Sequence, residues 1–186
     1  MFINLHKTDY VLSQAARYVE LVVYSVVAFF VPFLLSHPQL LVGTLVNASL
    51  VLAGLNLKNM KLLPVILLPS IAVLTRGAIF GPFTVFLLYM IPFIWIGNSL
   101  LVGSMKINIR TVNNISLNQW LRLLIGICAK TIFLALSAFI LIKLNIIPEL
   151  FMTTMGIMQV YTAVAGGVLA LGIHHVKKKF TMKLSI

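Results

Sequence analysis

Two long apolar runs that follow one another between Leu62 and Val102 constrain the fold of this chain most. Together they contain a single charge, Arg76, which lies in a Thr75-Arg76-Gly77 sequence shortly before Gly81 and Pro82. A charge and helix-breaking residues between two runs of membrane-spanning length are typical of a hairpin tip at one face of a bilayer. The sequence therefore predicts two membrane helices joined by a short turn that carries Arg76.

The rest of the composition extends this prediction to the whole chain. Hydrophobic residues make up 61% of the 186 residues, only 9% are charged, and the mean hydropathy is +1.08. A soluble domain needs about a quarter of its residues charged to form a polar exterior. We therefore expect an all-α integral membrane protein, a compact bundle of six transmembrane helices that lipid covers on most of its exterior.

The six predicted spans are separated by short polar or proline-containing turns. The third is short and crosses a bilayer only if it includes residues 78–80. All six belong to one domain that covers residues 1–186, with an interfacial N-terminal segment at 1–16 and a basic cytoplasmic tail at 176–186. The spans lie at about 18–36, 39–57, 62–75, 82–103, 119–144 and 151–174.

The distribution of lysine and arginine predicts the orientation of the bundle, because short cytoplasmic loops are enriched in these residues. With the N-terminus inside, the outer segments hold only Arg76 and, near the end of the fifth span, Lys143. Both termini are then cytoplasmic and the Arg76 turn faces outward. The net charge of +11 is explained by this topology rather than by a nucleic-acid-binding face. The inner segments hold Lys7, Arg17, Lys58, Lys61, Lys106, Arg110, Arg122, Lys177, Lys178, Lys179 and Lys183.

Several short motifs resemble those of a known transporter family. They are GTLVNA at 43–48, Leu68-Pro69 with Ala72, Arg76 and Gly77, PFIWIGN at 92–98, Ala129-Lys130, and AGGVLA at 165–170. In these positions, and in size, helix count and predicted topology, the chain resembles the substrate-binding S components of energy-coupling factor (ECF) transporters over about residues 39–175.

The resemblance implies a prokaryotic plasma-membrane protein that captures a vitamin or similar micronutrient from outside. Such a subunit docks on a transmembrane scaffold subunit driven by two cytoplasmic ATPases and topples in the membrane to release the solute. The chain has no GxxxxGK[ST] phosphate loop, so the ATPases must be partners.

The surface that would meet such a scaffold is not evident from the first span. Family members carry an AxxxA pattern there, whereas this span offers only Ser25 and Ala28 as small residues between 24 and 29. Small residues on the sixth span form another close-packing stripe. That stripe, Ala163, Gly166, Gly167 and Ala170, serves either a partner or packing within the bundle.

Polar side chains inside membrane spans are costly, so each is a candidate for function. Asn47 and Gln159 both lie about eight residues from the outer face, a depth of roughly 12 Å. We expect the candidates near that face to converge on one outward-opening pocket, with aromatic rings stacking on a heterocycle. They are Asn47, Tyr89, Gln159 and Tyr161 within the spans, and Arg76 and Glu149 at the outer rim.

Lys130 is predicted close to the midplane, where an unpaired ammonium costs a few kcal/mol or more. Either an anionic solute or a cavity water satisfies it, or it bonds backbone carbonyls or Asn98. Asn47 and Asn98 have an alternative role as interhelical hydrogen bonds, and Arg76 as a partner of Glu149 or of lipid headgroups. Asn98 lies too deep to share the rim, so the sequence predicts that Arg76 and Asn98 belong to separate sites.

The charges limit the solute to a neutral or anionic molecule, because a metal cation requires carboxylates or histidines. We expect no enzyme, cofactor or metal, since HExxH, GxSxG and paired catalytic carboxylates are missing and the single aspartate is Asp9. The alternative function is a non-transporting scaffold or assembly subunit of a larger complex, with the basic loop at 105–118 and the lysine-rich tail as its docking surfaces.

Overall fold

The computed structural model describes residues 13–35, 38–80, 84–107, 109 and 115–183. Over these residues six helices are long and apolar enough to cross a membrane, when α6 and α7 are counted as one interrupted span. The predicted all-α, multi-pass membrane fold is thereby confirmed. The helices are α1 (Gln14–Leu34), α2 (Gln39–Asn56), α3 (Leu63–Phe80), α4 (Thr84–Ser104), α5 (Ile115–Lys143), α6 (Leu150–Met155) and α7 (Ile157–Lys183), with a 3₁₀ turn at Asn59–Leu62.

The third helix is longer than its apolar run. It continues through Gly77 to Phe80, so Arg76 lies within α3 and not in a turn, which corrects the predicted hairpin tip. One glycine costs a helix only about 1 kcal/mol relative to alanine, which is less than the cost of unsatisfied backbone groups in lipid. The connection between α3 and α4, residues 81–83, lies outside the described residues.

The last span differs from its prediction at both ends. Gly156 has φ −95° and ψ −103°, outside the helical region, and it separates the six-residue α6 from α7. After this break α7 does not stop at His174 but runs to Lys183, so most of the predicted basic tail is helical. The predicted interfacial segment lies mainly in residues 1–12, outside the described part of the chain.

Helix α2 forms the centre of the bundle, since every residue from Asn47 to Leu57 is buried. Helix α7 approaches it closely at Gly166, where an added Cβ atom would lie 2.5 Å from the carbonyl oxygen of Thr44. At Gly167 an added Cβ atom would lie 2.6 Å from a methyl group of Leu123 on α5. The small-residue stripe of the sixth span therefore packs inside the bundle and is not a free docking surface.

Two basic residues of the predicted inner loops are buried and bind the carbonyl ends of helices. Lys106 has no exposed surface and donates from Nζ to the carbonyl oxygen of Leu57, the residue that ends α2, at 2.5 Å. Arg122, which is 2% exposed, donates from Nη1 to the carbonyl oxygen of Met105 at 2.7 Å. Cations at the carboxyl ends of helices interact favourably with the helix dipole. These two charges stabilise the bundle from within.

Candidate functional site

A cavity of about 400 Å³ opens between the helices. It runs from the middle of the bundle towards the end where α1 and α3 finish and α2 begins. Most of its wall is apolar, with side chains such as Val42, Val46, Ile94 and Leu134. The polar residues in its described lining are Gln39, Asn47, Ser70, Arg76, Asn98, Lys130, Thr154 and Gln159.

Lys130 lies at the deep end of this cavity and is only 3% exposed. Its Nζ donates to Oδ1 of Asn47 at 2.6 Å and to Oδ1 of Asn98 at 2.9 Å. Both acceptors are neutral amides, and the described lining contains no aspartate or glutamate. An ammonium has three N–H donors. The two amides therefore hold Lys130 in place but supply no opposite charge.

The two asparagine amides are themselves oriented by contacts with other helices. Asn47 donates from Nδ2 to Oγ1 of Thr162 on α7 at 3.2 Å. Asn98 donates from Nδ2 to the carbonyl oxygen of Ile66 on α3 at 3.0 Å. With each Nδ2 occupied in this way, each Oδ1 faces Lys130. The network joins α2, α3, α4, α5 and α7, so the predicted interhelical role and the cavity-lining role of these asparagines coexist.

Arg76 lies nearer the mouth of the cavity and is half-buried. It donates from Nη1 to the carbonyl oxygen of Phe33 on α1 at 3.1 Å. It forms no ion pair with Glu149, although both residues belong to the described part of the chain. Arg76 and Asn98, which the sequence assigns to separate sites, both line this cavity, Arg76 near its mouth and Asn98 beside Lys130 at its deep end.

Three predicted site residues do not line the cavity. Tyr89 and Tyr161 are 51% and 56% exposed on the outer surface of the bundle. Glu149 is also exposed and borders a separate surface hollow beside Lys143. Four of the seven predicted residues, Asn47, Arg76, Lys130 and Gln159, line the cavity.

Helical geometry explains why the tyrosines point elsewhere. Successive residues are about 100° apart around a helix, so Tyr161 lies about 200° from Gln159, on the other side of α7. Tyr89 precedes Asn98 by nine residues, which places them about half a turn apart on α4. A residue at the depth of the cavity therefore lines it only if its side chain also faces it around the helix.

Ser70 is a cavity residue that the sequence analysis missed. It is 3% exposed, and its Oγ has no hydrogen-bond partner among the described residues. Serine and threonine in helices commonly donate to the carbonyl four residues earlier, as Ser49 does to Leu45 at 3.0 Å and Ser137 to Phe133 at 2.8 Å. Ser70 differs from these two serines in that its hydroxyl has no such bond.

The arrangement suits an organic molecule better than a metal ion. Nowhere in the described ranges do three His, Cys, Asp or Glu side chains lie together where they could hold a metal. The cavity instead offers two cationic side chains, amide groups and one unused hydroxyl in an apolar wall. Ligand sites of about 300–1,000 Å³ with a few placed polar groups are typical of small-molecule binding.

No protein-family model, curated protein or solved structure matches this chain.

Proposed function

We propose that this protein is a membrane-embedded substrate-capture subunit for the uptake of a vitamin or similar small micronutrient. The observation that carries the proposal is the cavity of about 400 Å³, in which buried Lys130 and half-buried Arg76 lie within a mainly apolar wall. A membrane protein keeps charged groups at such depth where they serve a binding site or pathway.

The position of the cavity supports capture from outside the cell. Its mouth lies among the last residues of α1, the first residues of α2 and the second half of α3, where Leu35, Gln39 and Arg76 border it. The bias of lysine and arginine predicts that this end faces outward. A solute would then enter past Arg76 and reach Lys130 near the middle of the bundle.

Uptake also requires partners, because the chain itself has no nucleotide-binding loop. By its resemblance to ECF S components, the proposed partners are a transmembrane scaffold subunit and two cytoplasmic ATPases in a prokaryotic plasma membrane. The stripe at Gly166 is buried against α2 and leaves no surface there for the scaffold.

The proposed function is tested by native mass spectrometry of the protein purified gently into lipid nanodiscs. We expect a retained small molecule, and we expect Lys130→Ala and Arg76→Ala to reduce its retention at least tenfold. Lys58→Ala is the matched control, since Lys58 lies at the opposite end of α2 and does not line the cavity. Protein that retains no molecule and copurifies with no ATPase would contradict the proposal.

The alternative, a non-transporting scaffold subunit, has less support. It depends on the basic loop at 105–118 and on the lysine-rich tail as docking surfaces. Lys179 of the tail is exposed, but Lys106 of the loop is fully buried and bonded to Leu57. Arg122, just beyond that loop, is likewise buried. Charges held inside the bundle are not available to a partner.

A further inference from the structure

Lys130 has no counter-charge in its described surroundings. Its two hydrogen-bond partners are the neutral amides of Asn47 and Asn98, and no acidic side chain belongs to the described lining of the cavity. A buried charge without an opposite charge is strongly unfavourable in a low-dielectric interior. An anionic occupant of the cavity would supply the missing charge at the remaining N–H of the ammonium.

Ser70 supplies a second donor to the same region. The carbonyl oxygen to which its hydroxyl would ordinarily donate is that of Ile66, four residues earlier; this oxygen accepts from Asn98 Nδ2 at 3.0 Å and not from Ser70. The Ser70 hydroxyl is buried in the cavity wall and unbonded among the described residues. A buried hydroxyl without a partner costs free energy, which a ligand acceptor would recover.

The same hydrogen bonds connect the surroundings of the two donors, Lys130 and Ser70, through Asn98. Asn98 bonds Lys130 through its oxygen and the Ile66 carbonyl through its nitrogen. Ser70 lies one helical turn beyond Ile66, in the direction of Arg76. A ligand group that meets Lys130 from the mouth of the cavity therefore approaches the Ser70 side of α3.

We propose that the solute is an organic acid, whose carboxylate binds between the ammonium of Lys130 and the hydroxyl of Ser70 and whose apolar body lies along the wall towards Arg76. A carboxylate accepts several hydrogen bonds and carries the charge that Lys130 lacks. The mainly apolar wall favours an organic acid over an inorganic anion, which would gain nothing from it. This inference rests on the proposed function as a capture subunit.

The test compares acids with their own primary amides. The probes are octanoate, 3-phenylpropanoate and indole-3-propanoate, with the three matching amides, and binding is measured as thermal stabilisation in nanodiscs in chloride-free buffer. We expect at least one acid to bind ten times more tightly than its amide. Sodium chloride in the same assay shows whether an inorganic anion suffices.

Two variants locate the carboxylate. Ser70→Ala should weaken binding of that acid about three- to tenfold without affecting the fold, because the Ser70 hydroxyl has no bond to lose. Ser99→Ala is the matched control, since Ser99 is exposed on α4 and donates to the Trp95 carbonyl at 2.8 Å. Lys130→Met should remove the preference for the acid over its amide.

Each outcome either supports or overturns the binding of a carboxylate between Lys130 and Ser70. An acid that loses affinity in Ser70→Ala but not in Ser99→Ala supports it. Equal binding of acids and amides, no binding of any acid, or stabilisation by chloride alone overturns it. A retained molecule that is neutral or basic in the mass spectrometry experiment also overturns it while leaving the proposed function standing, so the two failures are distinguishable.

Discussion

At the scale of single residues, the centre of the molecule is a cation held by two amides. Lys130 has lost its hydration at 3% exposure and receives only the Oδ1 atoms of Asn47 and Asn98 in exchange. Hydrogen bonds to charged groups are worth more than those between neutral groups, about 1.5–3 kcal/mol each. The stability of the bundle is therefore coupled to both amides.

This coupling predicts that Asn98→Leu lowers the free energy of unfolding by about 1–3 kcal/mol, because Lys130 keeps only one acceptor. In a Lys130→Met background, Asn98→Leu should lower the free energy of unfolding by less than half as much, since the Asn98 amide then has no cation to bind. The measurement is a double-mutant cycle from reversible unfolding in mixed micelles.

The control for that cycle is Ser99→Ala on the exposed side of the same helix, which should change stability by less than about 0.5 kcal/mol in either background. If Asn98→Leu lowers the free energy of unfolding equally with and without Lys130, the Asn98 amide stabilises the bundle only through its hydrogen bond to the Ile66 carbonyl on α3. The charge would then be satisfied elsewhere.

The sequence predicted four of the polar cavity residues because charge and amide groups inside an apolar run are conspicuous. The bond between Lys130 and Asn98, which the sequence offered as an alternative, is present at 2.9 Å. The sequence could not predict that Ile66 is the second partner of Asn98, because pairings between helices depend on how the helices pack. Ser70 was missed because nothing in the sequence shows that its hydroxyl lacks the usual bond to the carbonyl four residues earlier.

At the scale of the helices, hydropathy located every span but not every end. Gly77 was predicted to belong to a break and lies inside α3, whereas Gly156 interrupts the last span. A helix end depends on whether caps and neighbours satisfy the free backbone groups, which hydropathy does not report. The short α6 contributes Leu150, Phe151 and Thr154 to the cavity wall, so this break has a consequence for the site.

The contact between α2 and α7 gives a prediction for Gly166 of α7. Gly166→Ala should lower the free energy of unfolding by about 1–3 kcal/mol, because its Cβ atom would lie 2.5 Å from Thr44 O and 2.8 Å from Ala48 N. Both are backbone atoms, so the two helices must move apart. Thermal unfolding in nanodiscs measures the effect.

Gly172 on the same helix is the matched control for that substitution. An added Cβ atom there meets nothing within 4 Å, so Gly172→Ala should be neutral or slightly stabilising through helix propensity. Equal destabilisation by both alanines would mean that α7 is sensitive to any loss of glycine. The close packing against α2 would then not explain the destabilisation by Gly166→Ala.

At the scale of the whole molecule, the cations of the described residues divide into three groups with different roles. Lys106 and Arg122 bind helix ends from inside the bundle, and Lys130 and Arg76 line the cavity. The other described cations lie mainly at the end of the bundle opposite the cavity mouth, among them Lys58 and Lys61 at the 3₁₀ turn and Lys177 near the end of α7. Only charges that meet the membrane surface orient a helix bundle, and these still favour a cytoplasmic position for the end away from Arg76.

This orientation is tested by cysteine labelling in intact cells. In a Cys128→Ser background, Gln39→Cys places a thiol at the exposed rim of the cavity, and Met60→Cys places one on a 76% exposed residue at the opposite end. A membrane-impermeant maleimide should label Gln39→Cys and leave Met60→Cys unlabelled until the membrane is permeabilised. Labelling of both thiols after permeabilisation controls for their reactivity.

The labelling result bears directly on the direction of transport. If Met60→Cys reacts in intact cells and Gln39→Cys does not, the cavity opens towards the cytoplasm, and capture of a solute from outside is contradicted. The expected pattern instead places Arg76 at the outer entrance and Lys130 near the middle of the bundle. An acid attracted at the mouth would then move inward to the buried ammonium, where the low dielectric strengthens the attraction between opposite charges.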